Sequence, residues 1–188
     1  MLTYFGMAED IKTAYLKSYN YEKMEKYNEA IKVLAPLYNK YSKTYTLNLR
    51  LGWLFFLNHN YKNAENSYKK SLYVNSSSIE AKLGLLKVFL QTENYQKAYI
   101  LSSEIIKQDY YNYYGNYYAI KILLLEKKYK IAKINIEKIL GLYPTDVLFL
   151  VELSKVYKQN KNPLLHKLYN DILILDPNNI YINRVYKK

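Results

Sequence analysis

Apolar and polar residues follow one another along the chain in blocks of helix length. Within a block the apolar side chains recur at steps of three and four residues, as on one face of an amphipathic helix. Two examples are Leu47, Leu51, Leu54 and Phe55, and then Ala98, Leu101, Ile105 and Ile106. Polar segments rich in Asn, Ser and Thr, such as residues 58–60, 75–78 and 92–94, separate the blocks and are typical of turns. The pattern predicts short helices joined by short turns.

The blocks recur with a period of 34 residues. A tyrosine marks each period, at Tyr27, Tyr61, Tyr95 and Tyr129. An alanine follows three residues later each time, at Ala30, Ala64, Ala98 and Ala132. A fixed period of this length, with two helix-length blocks per unit, is typical of a solenoid of helical hairpins. The small alanine side chain lets the two helices of a hairpin cross closely.

The unit that begins at Tyr45 resembles the tetratricopeptide repeat (TPR) family. The residues that carry the resemblance are the pair Leu51-Gly52, then Phe55, Tyr61, Ala64 and Tyr68. Two departures stand out: Asn48 occupies the position of a family tryptophan, and Pro163 stands where the fifth unit should have its tyrosine. The resemblance implies an all-α fold, a right-handed superhelix (α-solenoid) of about five antiparallel helix pairs with a short C-terminal capping helix.

The period predicts one TPR domain over residues 11–180. Its five units are residues 11–44, 45–78, 79–112, 113–146 and 147–180. Residues 181–188 then form the end of the capping helix, and residues 1–10 form an N-terminal extension. The first eight residues are uncharged and mostly apolar. They fit either a segment packed on the first helix or the remnant of a secretory signal, although they lack its basic region. The compartment is therefore open between the cytoplasm and an exported or periplasmic location.

The net charge of +12 comes almost entirely from lysine, since only two of the 28 basic residues are arginines. The cations are spread along the chain, and the heavy use of Lys, Asn, Tyr and Ile is also what codon bias alone would produce. Nucleic-acid binding favours clustered cations and arginine, so an acidic protein or peptide is the better partner for this surface. Cysteine is absent, and no apolar run is long enough to span a membrane.

The TPR resemblance implies that the first helix of each unit lines a concave groove. The residues at the groove positions are aromatic or cationic, and such types are common at binding hot spots. They are Tyr15, Tyr19, Arg50, Trp53, Lys87, Tyr114, Tyr117, Tyr118, Lys121 and Lys155. With 25 tyrosines in the chain, chance and helix packing would also place several there. The Lys and Asn pattern with which some family members hold a C-terminal carboxylate is missing.

We find no pattern of catalytic residues, no metal-ligand spacing and no phosphate-binding glycine loop. The hypothesis is therefore a non-catalytic scaffold, without cofactor or metal, that binds a partner protein or extended peptide carrying acidic and apolar residues. One alternative is a structural component that assembles with copies of itself. Another, disfavoured by the low arginine content, is RNA binding through the tyrosines near residues 110–118.

Overall fold

The computed structural model describes the backbone of residues 2–186 and the side chains of residues 10–186. Within that range all regular secondary structure is helical, which confirms the all-α prediction. The helices are α1 (Leu2–Lys23), α2 (Tyr27–Lys32), α3 (Ala35–Tyr41), α4 (Tyr45–Leu57), α5 (Tyr61–Val74), α6 (Ile79–Gln91), α7 (Tyr95–Gln108), α8 (Tyr113–Leu125), α9 (Tyr129–Leu140), α10 (Val147–Gln159), α11 (Leu165–Leu175) and α12 (Ile180–Tyr186).

The first helices of the central repeats begin at a spacing of 34 residues. They are α4, α6, α8 and α10, each of 13 residues. The residue before three of them is a helix cap: the side-chain oxygens of Ser78, Asn112 and Asp146 accept hydrogen bonds from backbone N–H groups of the first turn. Such a cap satisfies an N–H that has no partner within the helix and so defines where the helix begins.

The turn inside each repeat depends on one residue in the left-handed conformation. These residues are not glycines, and their φ angles lie between 49° and 58°. They are Glu25, His59, Glu93, Lys127 and Lys161, again 34 residues apart. A left-handed residue at the end of a helix lets the chain reverse within a few residues, so the second helix can begin close to the end of the first.

Asparagine replaces the family tryptophan at the fourth position of two repeats, and the structure shows what it does there. The Asn48 amide nitrogen donates to the carbonyl oxygens of Ser42 and Thr44, at 2.8 and 2.7 Å. The Asn116 amide nitrogen donates to those of Tyr110 and Asn112, at 3.0 and 2.8 Å. Both side chains are fully buried. Each one ties the turn between two repeats to the helix that follows it.

The second helix of the first repeat is interrupted, which the period alone does not predict. It consists of α2 and α3, separated by Val33 and Leu34. Pro36 has no N–H to donate, and its ring clashes with the carbonyl four residues earlier, that of Lys32. That residue is the last one of α2.

At the N-terminus the structure differs from the predicted elements. The first helix was expected to begin near Ile11, but α1 begins at Leu2 and continues through residues 2–10. A secretory remnant within residues 1–8 stays a prediction, because Met1 and the side chains of residues 2–9 lie outside the described part. In the fifth repeat α11 begins at Leu165, two residues after Pro163. The capping helix α12 has seven residues, and residues 187–188 lie outside the description.

The chain divides into two compact units, Met1–Lys97 and Ala98–Lys188. In the first unit Leu34, Leu47 and Leu54 are core residues, and in the second Ile136 and Phe149 are fully buried. The four periodic alanines are completely buried: Ala30, Ala64, Ala98 and Ala132. The prediction of one continuous domain over residues 11–180 stays a prediction.

Consecutive repeats within the first unit pack around one tyrosine ring. Tyr68, on α5, is 3 % exposed and lies against Gly52 of α4 and Gly84 of α6. A Cβ atom on Gly52 would come within 2.9 Å of the Tyr68 ring, and one on Gly84 would come closer still. The absence of a side chain at both glycines therefore makes room for the ring, which explains the Leu-Gly pair of this repeat.

Candidate functional site

The ten predicted groove residues divide equally between the two units. The first unit holds Tyr15, Tyr19, Arg50, Trp53 and Lys87, which lie on α1, α4 and α6. The second holds Tyr114, Tyr117, Tyr118, Lys121 and Lys155, which lie on α8 and α10. Every one of them lies on the first helix of its repeat.

In the first unit Arg50 and Trp53 are held by one carboxylate. Glu22, near the end of α1, forms an ion pair with the Arg50 guanidinium through one oxygen. Its other oxygen accepts a hydrogen bond from the Trp53 indole N–H at 2.6 Å. Arg50 also donates to the Ser18 hydroxyl at 3.1 Å, and its guanidinium lies 3.9 Å from the centre of the Tyr19 ring. Arg50 is 8 % exposed, so its guanidinium interacts with neighbouring side chains of the fold and is hardly accessible to a partner.

The remaining groove candidates of the first unit are more accessible. Tyr19 is about half exposed. The Lys87 ammonium lies 5.5 Å from the centre of the Trp53 ring, within the range of a cation–π contact. Burial raises the pKa of the half-buried Tyr15 hydroxyl above its usual value. This unit therefore presents Tyr19 and Lys87 beside a buried Arg50–Glu22 ion pair.

In the second unit a cavity of about 500 Å³ opens among α8, α10 and α12. Three lysines line it: Lys121, Lys155 and Lys158. Apolar surface comes from Leu124, Leu125 and the Tyr181 ring, and Glu152 is the acidic residue of the lining. We call this cavity the lysine pocket. It contains two of the predicted groove residues, and Tyr117 adjoins it through a cation–π contact at 5.6 Å from the Lys121 ammonium.

The lysines of this pocket differ in how they are held. Lys155 donates to both oxygens of Glu152, at 2.9 and 2.7 Å, and its ammonium lies 5.2 Å from the centre of the Tyr181 ring. Glu152 is 3 % exposed, so Lys155 neutralises a buried carboxylate. Lys121 and Lys158 are exposed and have no carboxylate partner among the described residues. The ammonium groups of Lys121 and Lys158 are therefore positive charges without an ion-pair partner in the lining of the pocket.

The tyrosines around the lysine pocket are neutral hydrogen-bonding groups. Burial raises the pKa of the Tyr117 hydroxyl above its usual value, and the nearby Glu152 carboxylate raises it further. The pKa of Tyr181 is raised by burial and, less strongly, by Tyr169 and Glu152. Tyr118 has a pKa raised by burial and by Tyr114. Tyr114 and Tyr118 stack at a ring-centre distance of 6.5 Å, and Tyr114 is 54 % exposed.

Solved structures with a similar fold include a tetratricopeptide repeat protein and MamA. A tetratricopeptide repeat protein from Parabacteroides merdae ATCC 43184 superposes with a TM-score of 0.84 at 16 % identity, over 94 % of this chain and 70 % of that one. MamA from Desulfovibrio magneticus RS-1 gives 0.79 at 12 % identity, over 91 % and 97 % of the two chains. A further MamA structure gives 0.76 at 15 % identity, over 90 % and 93 %. The fold is that of the tetratricopeptide repeats. No protein-family model and no curated protein matches the sequence.

The contacts of Glu22 and Ser18 with Arg50 were not predicted from the sequence. Glu22 and Ser18 lie on the first helix of the first repeat, where Glu22 falls at a groove position twelve residues into the unit. Acidic side chains are mostly exposed to solvent in folded proteins, so the residue type alone did not indicate a structural role for Glu22. Two features of the sequence point to this ion pair. Glu22 lies at a groove position of the first repeat, and its negative charge is opposite to that of Arg50 in the next repeat.

The described part of the chain contains neither a metal-ligand cluster nor a helix that could span a membrane. None of its groups of His, Asp and Glu side chains is arranged so that three or more could hold a metal ion. Of the helices in that part, none combines the length and the apolar character that a bilayer-spanning helix needs. His59 is exposed and contacts the Tyr61 hydroxyl at 3.0 Å, and His166 is an exposed residue beside Tyr169 and Tyr186.

Proposed function

We propose that this TPR chain is a non-catalytic scaffold that binds a partner protein or an extended peptide. Repeats of this kind expose a long helical surface that suits binding of another chain. The observation that carries the proposal is the lysine pocket. It combines two uncompensated ammonium groups with an apolar wall in a cavity of about 500 Å³, which is within the range of ligand pockets.

The chemistry of the lysine pocket defines the partner. Lys121 and Lys158 attract carboxylates, and complementary charge speeds encounter with an acidic partner. Leu124, Leu125 and the Tyr181 ring offer apolar surface beside those charges. The partner segment therefore carries Asp or Glu next to a large apolar residue. In the first unit Tyr19 and Lys87 provide further accessible contacts, whereas Arg50 acts mainly by holding α1 against α4.

A display library of random peptides, selected on the full chain, tests the proposal. We expect the selected peptides to be rich in Asp and Glu adjacent to Leu, Phe or Tyr. The test variant is Lys121→Glu with Lys158→Glu, because these lysines have no structural ion pair, whereas a change at Lys155 would leave Glu152 buried without its partner. Affinity should fall by roughly tenfold or more, as expected when each of two ion contacts is replaced by repulsion.

The matched control is Lys62→Glu with Lys130→Glu. These lysines are exposed on the second helices α5 and α9, so the net charge changes equally while the lysine pocket stays intact. The control should bind the selected peptides about as well as the unchanged chain. If both variants lose affinity equally, the net charge rather than the pocket attracts the peptides, and the proposed site is wrong.

Self-assembly is a second candidate that one observation favours. Near the end of the second unit Ile174 is 78 % exposed and Ile180 is 85 % exposed, which is unusual for large apolar side chains on adjacent helices. A second copy of the chain could cover these two side chains, because exposed apolar patches mark sites of association. Light scattering decides between the two: a mass that rises with concentration and falls on Ile180→Lys would favour assembly, and a constant monomer would exclude it.

A further inference from the structure

Helix α12 begins in the same way as the first helix of a repeat, although it has only seven residues. The Asn183 amide nitrogen donates to the carbonyl oxygen of Pro177, six residues earlier, at 3.0 Å. Asn48 on α4 and Asn116 on α8 each make the equivalent bond, also to the carbonyl six residues earlier. This shared bond aligns Asn183 with the fourth position of a repeat.

The alignment gives two further residues of α12 a place in the repeat. Tyr181 and Arg184 correspond to Tyr114 and Tyr117 of α8, which are both predicted groove residues. Tyr181 lines the lysine pocket. Residues three apart are neighbours on the surface of a helix, so Arg184 lies one turn beyond Tyr181 on the same side of α12. The face of the predicted groove residues therefore continues onto this last helix, and Arg184 belongs to it.

Arg184 is the accessible arginine of the two in the sequence. Arg50 is buried and paired with Glu22, whereas Arg184 is exposed. Within the described residues, the Arg184 guanidinium forms no ion pair and no hydrogen bond. It lies in the last turn of α12, where a positive charge favours the negative end of the helix dipole. That role needs only the charge, so the N–H donors of the guanidinium are available to a ligand.

A second unpaired cation lies on the neighbouring helix α10. The Lys155 ammonium lies 5.2 Å from the centre of the Tyr181 ring, which brings α10 and α12 together. Lys158 follows Lys155 by three residues on α10, as Arg184 follows Tyr181 on α12. The first helices of consecutive hairpins run in the same direction, so Lys158 and Arg184 lie on the same side of the contact between Lys155 and Tyr181. A cleft edge with charges of one sign attracts an anion.

We propose that Arg184 and Lys158 together bind one carboxylate of the acidic partner segment. Arg184 donates two parallel hydrogen bonds to the two carboxylate oxygens, a geometry that suits a guanidinium and not an ammonium. The apolar residue next to that carboxylate packs against Tyr181 in the lysine pocket. This inference rests on the proposed function and makes it more specific, because it gives the acidic residue of the partner a position over α12.

Two-dimensional NMR of the full chain, titrated with the dipeptide N-acetyl-Asp-Phe-amide, tests the inference. With two arginines in the chain, the side-chain Nε–H signals are few. We expect a saturable shift of the Arg184 Nε–H signal. The neutral probe N-acetyl-Asn-Phe-amide should bind roughly tenfold more weakly, since the charged hydrogen bonds are lost. Saturable shifts of the Leu124 and Lys158 amides with an unmoved Arg184 signal would overturn the inference and leave the proposed function intact. Shifts that stay linear everywhere would overturn both.

Three variants separate the two-bond contact from a general effect of charge. Arg184→Gln should weaken binding of the Asp probe roughly tenfold. Arg184→Lys keeps the charge at the end of α12 but loses the paired donors, so its affinity should lie between those of Arg184→Gln and the unchanged chain. Lys130→Gln, at an exposed lysine of α9, makes the same change of net charge and should bind as the unchanged chain does. Full affinity of Arg184→Gln or of Arg184→Lys would overturn the inference.

Discussion

At the scale of single residues, Glu22 is the most consequential side chain of the first unit. Its two oxygens bond Arg50 and Trp53 at once, and Arg50 is 8 % exposed. Glu22→Ala leaves a buried guanidinium without its carboxylate, which costs about 3 kcal/mol. We expect the free energy of unfolding, measured with urea and Trp53 fluorescence, to fall by that amount. The Trp53 emission should also shift, because the indole N–H loses its partner.

The control for Glu22 is Glu65→Ala. Glu65 pairs with Lys69 on α5 at 2.6 Å, but the lysine side chain is 57 % exposed, and exposed pairs contribute at most about 1 kcal/mol. The free energy of unfolding of Glu65→Ala should therefore be within about 1 kcal/mol of that of the unchanged chain. Equal losses for the two variants would mean that the Glu22 carboxylate is no more important than a surface charge.

The left-handed turn residues offer a stabilising substitution. Lys127 has a φ of 57° and an exposed side chain. Glycine takes this conformation without the steric penalty of a side chain. Lys127→Gly should raise the free energy of unfolding by about 0.5–1 kcal/mol, measured by urea denaturation followed by circular dichroism. Lys17→Gly, at an exposed position in the interior of α1, should lower it by a similar amount. A loss at both positions would contradict the role of residue 127 in the turn.

Single residues were partly predictable from the sequence. The periodic alanines are buried as expected, because each sits at the crossing of two helices and the period alone locates that crossing. The cap residues and the left-handed residues share the same period. The bond between Glu22 and Arg50 was not predictable, since it depends on how two long side chains from different repeats are oriented.

At the scale of helices, the interruption in the first repeat should have a single cause. Pro36→Ala restores the missing N–H and removes the clash with the Lys32 carbonyl. We expect α2 and α3 to join into one helix over residues 27–41. NMR secondary chemical shifts of residues 32–36 would show this directly, and the backbone N–H that the variant gains at residue 36 should exchange slowly. Helical shifts that still break at Val33 and Leu34 would show that packing, rather than Pro36, interrupts the helix.

Helix starts were the most predictable elements. The starts of α4, α6, α8 and α10 coincide with the first residues of the units that the period defines, because caps and turn residues recur with it. The period failed at two prolines: Pro36, which lies in the first turn of α3, and Pro163, which lies in the turn before α11. It also failed at the N-terminus, where α1 extends to Leu2, nine residues before the first unit.

At the scale of the whole molecule, the lysine pocket gives the second unit a cationic, partly apolar cavity. The predicted groove residues belong to both units, and two of those in the second unit, Lys121 and Lys155, line the lysine pocket. The sequence predicted Lys121 and Lys155 but not the cavity beside them, because cavity volume depends on how α8, α10 and α12 pack.

The central claim is that the lysine pocket binds an acidic partner. The most direct measurement is capture of partner proteins, identified by mass spectrometry, on the full chain, on the Lys121→Glu with Lys158→Glu variant, and on the Lys62→Glu with Lys130→Glu control. The account predicts a partner that the full chain and the control both retain and the pocket variant loses, with capture weakening as salt is raised. A partner retained equally by the pocket variant and the control would contradict it.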